Sequence, residues 1–323
     1  MSDLHRRLTV FDGLVVSNFD RAILQDMRDG GITAANCTCC VWEDFEATVR
    51  NVARFKKLIA DNADLAMQVY SLADIAQAKA AGKVGIILGW QNTSGYGDDL
   101  DMVPLFAELG VRIVQLTYNT ANAVGDGCYE SVDRGLTDFG RDLVAALNRN
   151  GVLIDLSHVG PKSASDAIRA SKRPVAYSHC APAGLKRHPR NKSDAQIRAI
   201  VEAGGFIGVT MFPPFLARGA ESTVEDYVDA IAYTINLAGE TQVGIGTDMT
   251  QGQPAEFFRW ITHDKGNGRK LVDFGATFEL KGFSRLSEFP NLTAAMERRG
   301  WSEERIARIL GGNWLRLLEA VWG

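Results

Sequence analysis

Short, largely apolar runs rich in β-branched residues recur along the chain, and longer amphipathic segments separate them. The runs are FDGLVV at 11–16, ITAANC at 32–37, VGIILGW at 84–90 and VRIVQLTY at 111–118. VLIDLSH at 152–158, PVAYSH at 174–179, FIGVTMF at 206–212 and VGIGTD at 243–248 follow. A strand with one wet face alternates polar and apolar residues; runs without that alternation suit a parallel sheet covered on both faces. MQVYS at 67–71 is a candidate ninth strand. Between the runs, TDFGRDLVAALNRNG at 137–151 puts Leu143, Ala146 and Leu147 on one helical face and stops at a glycine. SDAQIRAIVEAGG at 193–205 offers Ser193 as an N-cap.

Eight strand candidates alternating with helices predict an α/β protein, a single (β/α)8 TIM barrel spanning 1–323. A doubly wound open sheet is the main competitor, but no G-x-G-x-x-G turn follows the first strand. The stretch 249–289, rich in glycine, aromatics and charge, reads as a long loop or lid. The tail 290–323 reads as two helices split at Arg299–Gly300, with Ser302 capping the second.

Composition narrows the function classes. Apolar residues are 46% and charged residues 23%, enough to bury a large core without staples. Net charge is −4 and no basic stripe is present, which argues against a nucleic-acid partner. No stretch approaches the roughly 18 apolar residues of a membrane span. The opening MSDLHRRLTVFDG lacks the apolar region of a signal peptide, so the expected location is cytoplasmic. Five cysteines, three of them crowded at Cys37, Cys39 and Cys40, read as reduced packed thiols rather than a disulfide framework. Nothing here fixes the oligomeric state, and a homo-oligomer stays open.

In a barrel the chemistry sits at the C-terminal ends of the strands. There the runs deliver Gln91, Tyr118, His158, His179 and Asp248. Two of the chain's five histidines thus end consecutive strands, and imidazole is a common ligand of catalytic zinc. A lone histidine after a strand is more often structural; two, with an aspartate at a third strand end, tilt the balance to a site. Asp248 could hold a metal or accept a proton from its water. Arg190–Asn191, in GLKRHPRN, offers a guanidinium fork for a carboxylate. NTSGYGDD lacks the G-K-[ST] of a phosphate loop, and Cys180 beside His179 reads as a packed thiol.

VLIDLSHVG, RPVAYSH, HPRN, VGIGTD and the terminal GGNWLRLLE, in that order, resemble the renal (membrane) dipeptidase family of metallopeptidases. ELGVRIVQLTYN and GLTDFGRDLVAALNRNGVLIDLSH extend the likeness from about residue 11 to the C-terminus. The resemblance implies a (β/α)8 barrel with two zinc ions bridged by a glutamate, cleaving dipeptides, some with a D-residue at the C-terminal side. Under it, His158 and His179 match the ligands of the second zinc. Asp248 matches the aspartate near the first zinc and the attacking water, and Arg190 the arginine that grips the substrate carboxylate.

Three features depart from that pattern. The family's D-G-H-x-D reads Asp12-Gly13-Leu14-Val15-Val16, the bridging glutamate falls at Gln91, and a substrate-facing histidine falls at Tyr118. Leucine and valine have no donor atom, and a neutral glutamine is a weak ligand. The expectation is at most one divalent metal, zinc, on His158 and His179 with Gln91 weakly and Asp248 as further candidates, or no metal. The expected function is a dipeptidase-like hydrolase using metal-activated water. Asp248 would take the proton, and Arg190, Tyr118 and Asn191 would bind a small carboxylate-bearing substrate. The alternatives are a catalytically altered barrel that binds a small carboxylate, and a metal-independent lyase or isomerase using Asp248 and His179.

Overall fold

The computed structural model describes residues 3–275 and 279–323. Within them nine strands form one parallel sheet: β1 Phe11–Val15, β2 Ala34–Cys40, β3 Ala66–Gln68, β4 Val84–Trp90, β5 Val111–Gln115, β6 Leu153–Asp155, β7 Ala176–Cys180, β8 Phe206–Val209 and β9 Val243–Ile245. The order β1-β2-β4-β5-β6-β7-β8-β9 curls back on itself. Val15 pairs in parallel with Met249, just past β9, and the Asp248 N–H donates to the Leu14 carbonyl at 3.0 Å. Eight strands therefore make a nearly closed TIM barrel with helices outside, as the runs predict. The ninth, β3, pairs only with the first half of β4, whose second half pairs with β5.

Trp314, from the helix Asn313–Trp322, fills the barrel floor. Its ring lies 5.0 Å from that of Phe11 and 4.5 Å from that of Phe206, and Nε1 donates to the Ile245 carbonyl at 2.7 Å. Glycine is needed opposite it: a Cβ at Gly13 would lie 2.3 Å from the indole, and one at Gly244 2.8 Å. Trp314 thus closes the barrel interior at the strand starts, and the strand C-termini face the opposite mouth.

The helix Asp138–Arg149 begins where Thr137 Oγ1 accepts from the Gly140 N–H at 2.9 Å, and it buries Leu143, Ala146 and Leu147. Ser193 and Gln196 form a capping box on the helix Asp194–Glu202. The tail breaks at Gly300, where φ is +77°, and Ser302 caps the next helix.

Two expectations need correction. The stretch 249–289 is not irregular throughout. It contains the helix Ala255–Ile261, whose Phe257, Phe258, Trp260 and Ile261 make a small core with Val41, Trp42 and Tyr118. Residues 276–278 of that stretch lie outside the described residues. Several strands also stop before their apolar runs do, at Gln115, Asp155 and Ile245, so Tyr118, His158 and Asp248 sit on the turns beyond the ladder. Among the described residues, no helix is long and apolar enough to cross a membrane.

Candidate functional site

The turn after β6 and the strand β7 bring His158 and His179 together with their Nε2 atoms 3.0 Å apart. Each ring is held from behind. His158 Nδ1 lies 2.7 Å from Asn119 Oδ1, and His179 Nδ1 lies 2.7 Å from Ser178 Oγ. Asp155, at the end of β6, organises this floor. One of its oxygens accepts from the backbone N–H groups of Ser157 and Ser178 (3.0 and 2.9 Å) and from the Ser157 hydroxyl (2.6 Å). The other accepts from the Ser178 hydroxyl at 2.5 Å. Both rings are buried. Burial, reinforced by the Arg190 charge, holds both imidazoles well below their usual range and keeps them neutral near pH 7.

Arg190 is anchored on the backbone of both histidine-bearing segments and is only 1% exposed. Its Nη1 donates to the Ser157 carbonyl and its Nη2 to the His179 carbonyl, the latter at 2.9 Å. Phe215 packs on the guanidinium at 5.4 Å, and Nε has no partner among the described residues. Lys192 is also buried and donates to the Val159 carbonyl at 3.1 Å; burial and Arg190 push it down to about 8. The Asn191 amide is spent on the carbonyls of Lys186 and Phe215, so it braces this loop.

Asp248 turns the chain at the barrel mouth with φ of +62°, a left-handed conformation that non-glycine residues rarely hold. Burial raises its carboxyl to about 6, with Arg190 opposing. Tyr118 lies flat on His158, centroids 4.2 Å apart and planes at 26°, while Trp42 meets the tyrosine edge-on. The ring sequence analysis assigns to substrate therefore gives one face to His158. Asn119, the next residue, is also left-handed at φ +61°.

The first strand has no metal chemistry at its end. Leu14 and Val16 are buried and aliphatic. Asp12 is a strand clamp: it accepts from the Thr247 and Leu14 N–H groups at 2.8 and 3.2 Å and from the Thr247 hydroxyl. Burial raises its carboxyl to about 7. Gln91 donates through Nε2 to Thr38 Oγ1 at 3.1 Å. Among the described residues no group of three or more His, Cys, Asp or Glu side chains is placed to hold a metal ion. Asp248 does not join the two histidines as a third ligand.

Sequence reasoning missed Asn119, Asp155, Ser157, Ser178 and Lys192. A signal was available for the first four: a ligand imidazole needs an acceptor for its second nitrogen, and the turn-forming Asn119 and the Asp-x-Ser-His and Ser-His segments supply them.

The chain matches the family described as membrane dipeptidase (peptidase family M19) over residues 14–259 and 265–322. An amidohydrolase of known structure from Pseudomonas aeruginosa is 51% identical, with a TM-score of 0.98 over 99% of this chain and 98% of that one. A metallopeptidase from Rhodobacter sphaeroides, solved with a phosphinate mimic of L-Ala-D-Ala, shares the fold at 22% identity. Its TM-score is 0.82, over 98% of this chain and 99% of that one. Dipeptidase tcpJ of Claviceps purpurea is 29% identical over 271 residues, which cover 83% of this chain and 57% of that protein. The chain spans little more than half the length of the curated relatives it matches. By the match over nearly its whole length, the chain belongs to the membrane dipeptidase family of metal-dependent peptidases.

Proposed function

We propose that this chain hydrolyses small carboxylate-bearing amides of the dipeptide type, with a single divalent metal, zinc, held by His158 and His179. The observation that carries the reading is the convergence of the two Nε2 atoms at 3.0 Å, with Arg190 bonded to the His179 carbonyl beside them. Two nitrogens about 2.0–2.1 Å from a tetrahedral ion lie roughly 3.3–3.4 Å apart, so a small ring movement admits one ion. When bound, such an ion supplies Lewis acidity toward a water and an amide carbonyl.

The chain's own residues do the rest. Arg190 has no carboxylate partner among the described residues, and its buried Nε–H is unsatisfied there, a donor that a substrate carboxylate would satisfy. That grip fixes the amide relative to the histidines. Asp248, with its carboxyl at about 6, is ionised above neutrality yet close enough to it to accept and return a proton. Tyr118 and Trp42 roof His158 and limit water there.

A second metal does not fit: Leu14 and Val16 offer no donor, and Gln91 carries no charge to bridge two dications. No step runs through it. Each electrostatic contribution of that kind is worth about 3–4 kcal/mol, so ordinary dipeptides should turn over roughly 100- to 1000-fold below two-metal rates. The experiment is a panel of L,L- and L,D-dipeptides beside N-methylated and cyclic amides, each with a free or amidated carboxylate, assayed with zinc-loaded protein. Turnover that needs the free carboxylate supports the proposal. Failure to cleave any amide would refute it.

A further inference from the structure

Counting the protons around the two imidazoles leaves an unexpected remainder. A neutral imidazole has one N–H and one lone pair, so the partner of each Nδ1 decides what Nε2 presents. For His158 that partner is Asn119. The asparagine's orientation is fixed from its other contacts: Nδ2 donates to the Ile261 carbonyl at 3.4 Å, and the Cys128 thiol donates to Oδ1 at 3.8 Å. Oδ1 therefore faces the ring, and an amide oxygen can only accept. The His158 proton sits on Nδ1.

For His179 the partner is a hydroxyl, which can give or take. The Ser178 proton, however, is committed to Asp155 Oδ2 at 2.5 Å; the Ser157 oxygen, at 3.4 Å, is a far poorer acceptor. Ser157 in turn gives its own proton to Asp155 and accepts the His179 backbone N–H at 3.0 Å. Ser178 Oγ has only a lone pair left for the ring, so the His179 proton is also on Nδ1. Both Nε2 atoms then carry lone pairs, and these face one another at 3.0 Å with no proton between them.

We propose that Asn119 and Ser178, the latter through Asp155, are positioning residues that fix both histidines as Nδ1–H tautomers and so aim two lone pairs at one point before any ion arrives. The cation identified with that point rests on the metal reading above; the tautomer assignment does not. The backbone is shaped for the task. Asn119 has a left-handed φ of +61°, and the Gly127 backbone packs so closely against it that a Cβ there would lie 2.2 Å from the Asn119 carbonyl carbon. For two imidazole donors, a fixed tautomer at each raises affinity by presenting the lone pairs in advance. Residues in this role change metal affinity by about 10- to 100-fold in other sites.

The test uses Asn119→Gly, which suits the backbone and deletes the acceptor, Asn119→Asp, which keeps one, and Ser178→Ala. Long-range 1H–15N spectra of the metal-free, folded proteins at pH 8 report each ring's tautomer, and chelator competition reports zinc affinity. Wild type should show Nδ1–H at both rings. N119G should move His158 to Nε2–H and weaken zinc by roughly 10- to 100-fold, S178A should do the same at His179, and N119D should restore both readouts. An Nε2–H ring in wild type, or N119G that keeps both the tautomer and the affinity, would overturn the proposal. Wild type with both Nδ1–H tautomers and no zinc binding would support it while sinking the metal reading.

Discussion

Replacing Asp248 with asparagine should move activity and stability in opposite directions. The carboxyl is raised to about 6 because burial disfavours its charge, and Arg190 offsets that only in part. In the unfolded chain an aspartate titrates near 3.9. The folded state therefore holds the proton more tightly. Stability falls as pH rises from about 4 to about 6 and stays lowered above that. The shift of about two units corresponds to at most about 3 kcal/mol, and the partial exposure of Asp248 reduces this to about 1–2 kcal/mol. Asparagine escapes that cost. For a chain of this length the variant should melt about 2–3 °C higher at pH 7.5, and the difference should vanish below about pH 4. Activity should fall by about 100- to 10,000-fold, as loss of a proton acceptor does. In wild type kcat/KM should be half-maximal near pH 6 and fall tenfold per unit below about pH 5; in the variant that limb should disappear. Melting curves and pH–rate profiles on the best substrate of the amide panel measure both. A variant that keeps the acidic limb, or loses less than tenfold in rate, would show that Asp248 is not the acceptor. One that melts lower at pH 7.5 would show that its charge is not a burden to the fold.

Arg190→Lys should raise KM for carboxylate-bearing substrates by about 10- to 100-fold, because one ammonium cannot serve the Ser157 and His179 carbonyls and a carboxylate together. The amidated analogues should show no such change, and steady-state kinetics on matched pairs would expose an equal effect on both as evidence against the grip. Trp314→Ala removes the barrel floor and should cost about 3–5 kcal/mol in urea unfolding. Zinc affinity should be untouched, since the indole lies at the strand starts; a parallel loss of zinc would contradict that separation.

The barrel was legible because a strand covered on both faces leaves an unbroken apolar run, and eight such runs are present. Where each strand ends was not. VRIVQLTY reads as apolar to Tyr118, yet the ladder stops at Gln115 and the chain then turns through Asn119. Burial on a turn looks the same in sequence as burial on a strand. MQVYS showed as strand, but its place beside β4 rather than within the closed ring depends on long-range pairing. His158, His179, Arg190 and Asp248 could be singled out by residue type at strand ends. Asn119, Ser178 and Asp155 were signalled only as polar neighbours of the two histidines; their part depends on whose proton is already committed, which only the assembled turns decide. Asn191 shows the converse: a polar residue beside the arginine looked suited to substrate, and the fold spends its amide on two carbonyls.

Metal content tests the central claim most directly. The wild-type protein, His158→Ala and His179→Ala, each purified with zinc supplied and then exhaustively dialysed, would be assayed for metal per chain by mass spectrometry. One ion per wild-type chain, and none in either variant, is the result that two converging imidazoles beside an aliphatic Leu14 and Val16 predict. Two ions per wild-type chain, or one ion that survives the loss of either histidine, would contradict it.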